Sequence, residues 1–306
     1  MEFESNSTDE GAAPCLGSVA VIGPGLLGGS VALASQHVKS IKTVSLWARR
    51  KEALVELSES KAADVISDDL AEVVGGADLV VLATPVGALE DLVEMFLPHL
   101  KKGAVITDLC SVKEAAVNVV DKKVSQSARD DINFVGAHPM AGSESGGFAN
   151  ARADLFRDAV CAVTPGKSSS KDSEEIVINF WQSIGCRCVK IDSRAHDQLV
   201  ARVSHLPHVI ASAIVETVFK GSNEAHLLAG PGLRSMTRIA GGSPDMWAEI
   251  ICQNKDAIGD AMEGHIDLLN DLLKKVRDAD YNELHQFLGD AKENRNRLYP
   301  PIKDQE

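Results

Sequence analysis

The chain lacks any apolar run approaching the roughly 18 residues that a membrane-spanning helix needs. Its six cysteines lack metal-ligand spacing. Cys15, Cys110, Cys161, Cys186, Cys188 and Cys252 are scattered, and a zinc site would need two wider pairs. Free thiols in a reducing cytoplasm are therefore expected, with no metal. Positive charge is also scarce: 31 Lys plus Arg against 44 Asp plus Glu leave a net charge of -13. That excess repels nucleic-acid phosphates and anionic membranes, so neither is an expected partner. Any anionic small molecule must be met by a local group of Arg, Lys or His. Residues Met1–Gly17 are polar and acidic, without a signal core or an Arg-rich pattern. They read as a disordered tail, and the rest as a soluble cytoplasmic protein.

The length of 306 residues favours two domains. From Ser18 the pattern is strand, glycine turn, helix, strand. Val19-Ala20-Val21-Ile22 is a short apolar run suited to a buried parallel strand, and Gly23-Pro24-Gly25-Leu26-Leu27-Gly28 follows, opening a helix that runs to about Ser35. In this context G-x-G-x-x-G binds a dinucleotide. Gly23 permits the turn, Gly25 lets backbone approach the pyrophosphate, and Gly28 lets helix pack on strand. The N–H groups at Leu26 and Leu27 then face the phosphates. The next strand, Thr43–Trp47, leads into Arg49-Arg50 instead of the acid that an NAD enzyme places on the ribose hydroxyls. An arginine pair can clamp a 2′-phosphate, so NADP is expected over NAD.

Further strands are expected at Leu79–Ala83, Ala104–Asp108, Ile132–Ala137, Ala159–Val163 and Arg187–Ile191, with helices between them. Alternation of this kind means a doubly wound, mostly parallel sheet over residues 18–192. Ligands of such sheets lie beyond the carboxyl ends of the strands. There stand Thr84-Pro85, able to line nicotinamide or ribose, then Ser111, and then His138, which Pro139 follows. A histidine in that position is a general-base candidate.

Over residues 193–306 strand patterns stop, and long helices are expected at about Ala195–Phe219, Asp245–Lys275 and Tyr281–Asn296. The first is apolar on nearly every side, which calls for burial all round and for a second subunit, making this a helical dimerisation domain. Within it, Ser204-His205-Leu206-Pro207-His208 sets two histidines on one face, with Pro207 disturbing the hydrogen-bond ladder. Anion or carbonyl contact is the preferred role for them, with core packing as the alternative. Arg234 and Arg238 follow the glycine-broken turn at Gly230–Gly232; arginine suits a carboxylate, with a solvated surface role as the default for either alone, and Asp245 is placed to cap the helix carrying Trp247.

In order and spacing these motifs resemble the prephenate/arogenate dehydrogenase family over roughly residues 18–297. The pieces are Gly23–Gly29, Thr107-Asp108 with Ser111-Val112-Lys113, His138–Gly146, Ser204–His208, and Thr237-Arg238 with Trp247. The resemblance implies that His138 accepts the ring hydroxyl proton, assisted by Ser111. It implies that Arg238 binds the ring carboxylate and that His205, His208, Glu144, Ser204 and Trp247 line the substrate pocket, in a homodimer. The reaction implied is oxidative decarboxylation of prephenate, or of its amino analogue arogenate. The remaining alternative is another two-domain NADP oxidoreductase, of the β-hydroxyacid dehydrogenase or imine reductase type. Those usually rely on a Lys or Asp where this chain has the His205/His208 pair.

Overall fold

The computed structural model describes residues 16–143, 145–221 and 224–299, leaving Glu144 and nearly all of the expected N-terminal tail outside. Its strands are β1 (Ser18–Ile22), β2 (Thr43–Trp47), β3 (Val65–Ser67), β4 (Leu79–Leu82), β5 (Val105–Asp108), β6 (Asn133–Pro139), β7 (Val160–Pro165) and β8 (Arg187–Lys190). They form one sheet in the order β3-β2-β1-β4-β5-β6-β7-β8. Every neighbouring pair is parallel except β6–β7, where His138 lies opposite Ala162. A parallel return needs a long crossover, usually helical. The segment between β6 and β7 carries only the short 3-10 turn Phe148–Asn150, so β7 runs back beside β6. The three-residue β3 was not expected, being too short to show a period.

Six helices attend the sheet: α1 (Leu26–Ser35), α2 (Lys51–Ser60), α3 (Leu70–Val74), α4 (Leu89–Phe96), α5 (Lys113–Gln126) and α6 (Lys171–Ser183). Apart from Ser18 at the start of β1, the central strands are buried along their length, as a sheet covered on both faces requires. Val19, Val21, Leu46 and Val81 join one apolar core with Phe180 and Trp181 of α6. Ala20, Ile22, Val80 and Ile106 join the other with Leu89, Phe96 and Val120. The serines before α6 have a capping job: Ser170 accepts from Ser173 N–H while the Ser173 hydroxyl pairs back.

Past Asp192 the chain is helical, but not as three continuous rods. The first expected helix is α7 (Ser193–Val200), a π turn at Ala201–His205, and α8 (Leu206–Gly221). Pro207 has no N–H to donate to the carbonyl four residues back, and the ladder slips there to a wider turn. In the single chain Val203 and Phe219 of that helix are exposed. α9 (Pro231–Thr237) was not expected. The second long helix breaks at Asn254 into α10 (Pro244–Gln253) and α11 (Lys255–Arg277), and α12 (Tyr281–Leu298) follows. Ser243, not Asp245, caps α10.

The chain divides into two compact units, one reaching Lys255 and the other beginning at Asp256. In the second, Ile266, Leu269, Leu273 and Val276 of α11 and Leu288 of α12 are exposed. No helix among the described residues is long and apolar enough to cross a membrane.

Candidate active site

The carboxyl ends of the parallel strands β1, β4, β5 and β6 lie side by side on one side of the sheet, where ligands of such sheets bind. At β1, Gly23 adopts φ 109°, a conformation that side chains rarely take. A Cβ on Gly28 would sit 2.0 Å from the Gly23 carbonyl oxygen, so α1 can pack on the turn only as glycine. A Cβ on Gly25 meets nothing within 4 Å, and Gly25 caps α1 with no side chain. The helix N-terminus therefore opens onto free space with unsatisfied N–H groups, which fits a dinucleotide pyrophosphate. A cavity of about 350 Å³ lies there, lined by Leu26 and by Ser143, Ser145, Asn150 and Arg152 from the β6–β7 connection. Thr84 touches this turn: a Cβ on Gly23 would meet its Cγ2 at 3.0 Å. Pro85, Arg49 and Arg50 are exposed, and Arg50 immediately precedes α2.

Beside Thr84, Cys110 directs its thiol at the Thr84 carbonyl, 3.6 Å away. Burial first, then the Asp108 charge, pushes that thiol well above its ordinary range, so it stays protonated and unreactive. Asp108, fully buried, ends β5 and accepts from Ala137 N–H (2.9 Å), from Cys110 N–H (3.0 Å) and from the Lys113 ammonium. Lys113 also donates to the Ala137 carbonyl at 2.8 Å. The β5–β6 ladder in register ends at Ile106 and Phe134. Beyond that point the buried Asp108–Lys113 pair supplies the hydrogen bonds that hold β6 in place, one residue before His138.

His138 is 8 % exposed. Burial foremost, then the neighbouring His196, Lys113 and His205, lowers its pKa well below the usual imidazole value and keeps it neutral. Its Nδ1 lies 2.9 Å from His196 Nε2 on α7. His196 Nδ1 lies 2.8 Å from Asp197 Oδ1. Asp197 in turn accepts from Lys113 N–H and Glu114 N–H, both at 2.8 Å. It thereby caps α5 from another helix, where Val112 offers no side-chain cap. Ser111 is half-buried between β5 and α5.

The histidine pair of the Ser204–His208 motif shares one partner. His208 stacks on Trp247 with centroids 3.5 Å apart and planes 12° from parallel; His205 meets the same indole edge-on at 6.1 Å. Gly242 makes room, since a Cβ there would meet Trp247 Nε1 at 2.5 Å. Burial lowers the His205 pKa to about 4, against the raising effect of Asp197, and burial lowers that of His208 too. Asn254 Nδ2 bonds the Asp197 carbonyl (2.9 Å) and lies 3.2 Å from His205 Nδ1, tying α7 to the π turn. Ser204 is half-buried, and Arg238 is exposed in the 3-10 turn after α9. Glu249 on α10 accepts from Gly87 N–H at 2.9 Å, which anchors α10 to the loop after Thr84-Pro85. No group of three potential ligands among the described residues is arranged to hold a metal.

The sequence singles out His138, the glycine turn, and His205, His208 and Trp247, the last three of which the structure brings together. It does not single out His196, Asp197, Asn254 or Glu249, and shows Asp108 and Lys113 only as motif letters. A signal was present for one pair: His196-Asp197 falls in the opening turns of a helix capped by Asp192.

Comparison with known proteins agrees with this arrangement. Residues 31–190 match the family described as prephenate dehydrogenase, nucleotide-binding domain, and residues 192–290 match prephenate dehydrogenase, dimerization domain. A prephenate dehydrogenase of Bacillus subtilis is 31% identical over 92% of this chain and 76% of its own length. The crystal structure of Aquifex aeolicus prephenate dehydrogenase in complex with hydroxyphenyl propionate and NAD+ is similar over 96% of this chain and all of that one, with TM-score 0.83 and 27% identity. The Synechocystis arogenate dehydrogenase structure covers 92% of this chain and 99% of that one, with TM-score 0.78 and 25% identity. With a glycine cradle at the end of β1, a neutral imidazole at the end of β6 and both domain types matched in order, the chain belongs to the prephenate dehydrogenase family.

Proposed function

We propose that this chain oxidises and decarboxylates prephenate with NADP, using His138 as the base. The observation that carries the reading is a buried imidazole, kept neutral, at the carboxyl end of β6 in a member of this family. When bound, the nicotinamide accepts hydride from the substrate's C4. Gly23, Gly25, Gly28 and the N–H groups at Leu26 and Leu27 would hold its pyrophosphate, and Thr84 and Pro85 would border the nicotinamide ribose. Arg49 and Arg50 support a 2′-phosphate, hence NADP.

The substrate is a cyclohexadiene with a 4-hydroxyl and, across the ring, a carboxylate. His138 takes the hydroxyl proton as hydride leaves C4, which makes C4–O a carbonyl. The ring carboxylate then departs as carbon dioxide, and its bonding electrons pass through the ring to that oxygen. The resulting phenolate takes the proton back, so none is consumed overall. Arg238 would bind the ring carboxylate, and Ser111 would assist at the hydroxyl. His205, His208, Ser204 and Trp247 would enclose the side chain, with Glu144 as a further wall. These groups supply orientation, a base and anion binding, while aromatisation supplies much of the driving force.

The pocket side chains are mostly donors, which suits the keto oxygen of prephenate better than the ammonium of arogenate. The likeness to an arogenate dehydrogenase keeps the second substrate in the test. The exposed apolar side chains of α11 and α12, with the match to a dimerization domain, support a homodimer. The decisive experiment follows absorbance at the reduced-nicotinamide band, with prephenate and then arogenate, each with NADP and NAD. Prephenate with NADP should give the highest kcat/KM. No turnover of either acid would overturn the reading.

A further inference from the structure

A neutral histidine can accept a proton at only one nitrogen, so the tautomer of His138 decides whether it can act. The chain of contacts behind it fixes that choice. Asp197 is 3 % exposed and accepts two backbone N–H groups at the N-terminus of α5. A carboxylate only accepts, so the bond at 2.8 Å must come from His196 Nδ1–H. A His196 that carries only that proton has a bare Nε2, and the contact at 2.9 Å then comes from His138 Nδ1–H. His138 Nε2 is left as the bare, accepting nitrogen.

On the reading of His138 as the base, we propose that His196 and Asp197 are positioning residues that fix His138 in its Nδ1–H tautomer and take over the proton it accepts. As the 4-hydroxyl proton arrives at His138 Nε2, the Nδ1 proton passes to His196 Nε2. His138 is neutral again, and His196 is an imidazolium against the Asp197 carboxylate. The steps reverse when the phenolate takes its proton back, so charge and protons balance. Without this transfer the positive charge would stay on His138, where burial, Lys113 and His205 all oppose it. The titratable groups in contact with or acting on His196 are Asp197 on its own helix, His138 on β6 and His205 in the π turn, while Lys113 at the start of α5 acts on His138. Only Asp197 favours a cation there. Asn254, on the Asp197 carbonyl, is neutral and holds the helix.

The test begins with long-range proton–nitrogen NMR of the full-length 15N-labelled protein near pH 7.5, with His138 assigned by loss of its signals in His138→Asn. The expected pattern is a protonated Nδ1 and a bare Nε2, and a protonated Nε2 would overturn the proposal without any variant having to fold. The second arm is His196→Gln, whose amide oxygen can still accept from His138 Nδ1–H but cannot hold a proton. It should keep the His138 tautomer yet lower kcat with prephenate on the order of 10–100-fold, the range lost when second partners of metal-bound imidazoles are removed. Wild-type kcat in His196→Gln would overturn the transfer step. His138→Asn with near-normal kcat would instead defeat the reading of His138 as the base, a separate outcome.

Discussion

Replacing Lys113 by Met should unsettle the site more than any surface change. Lys113 and Asp108 are both fully buried, and together they bond both backbone groups of Ala137, next to His138. Methionine matches the stem of lysine but leaves Asp108 buried without its counter-charge. Breaking a buried pair from one side costs about 3–5 kcal/mol. At roughly 2–4 °C per kcal/mol for a unit of this size, Tm should fall on the order of 6–20 °C. Calorimetry at fixed protein concentration checks this. Lys113→Met combined with Asp108→Asn removes both charges yet keeps an acceptor for Ala137 N–H, and should recover much of the loss. The kinetics carry an independent sign. Lys113 lowers the His138 pKa, so its removal should move the acid limb of kcat/KM to higher pH. A Lys113→Met protein within about 1 kcal/mol of the parent would refute the reasoning, because that is hardly more than an exposed substitution costs.

His138→Asn should lower kcat by roughly 10²–10⁴ with NADP affinity unchanged, while Arg238→Ala raises KM for prephenate. In the parent, the acid limb of kcat/KM should lie below about 6.5, since burial lowers the His138 pKa and the base acts only when neutral. Arg49→Ala with Arg50→Ala should weaken NADP by about 1.5–3 kcal/mol per lost charge-assisted bond and leave NAD little changed; equal parent efficiency with both cofactors would exclude the assignment. Stability should hold above about pH 6.5 and fall as pH drops toward 4, because His205, with a folded pKa of about 4, stays neutral while the unfolded chain takes up protons. At about 1.4 kcal/mol per pH unit, His205 alone accounts for about 3 kcal/mol of that loss in denaturant titrations. Light scattering at micromolar concentration should give twice the 32.6 kDa chain mass, and a monomer would exclude the dimer.

The parts of this protein legible in its sequence are those whose cause is local. Gly23 and Gly28 announce a turn because no other residue fits there. His138 stands out because it follows an apolar strand run and precedes a proline. The pairs that hold it join residues far apart in the chain: His138 and His196 are 58 positions apart, and Lys113 and Asp197 are 84. No periodicity in the sequence marks such pairs. The helical region reads in sequence as continuous rods because apolar spacing persists across Pro207 and Asn254, although the regular i→i−4 ladder does not. The reversal of β7 had a readable cue, since the stretch between β6 and β7 holds no helix long enough for a crossover.

The π turn at Ala201–His205 amounts to one residue more than a regular helix would need between α7 and α8. Deleting a single residue there would favour a regular helix from α7 into α8, interrupted only at Pro207, which has no N–H to donate. Each residue of helix carries about 100° of rotation and 1.5 Å of rise. His205 and His208 would therefore swing away from Trp247 and Asn254 while His196 and Asp197 stayed put, or the reverse. The extra residue works as a phase-setting spacer: it sets the rotation of His205 and His208 relative to His196 and Asp197 along a single continuous length of chain.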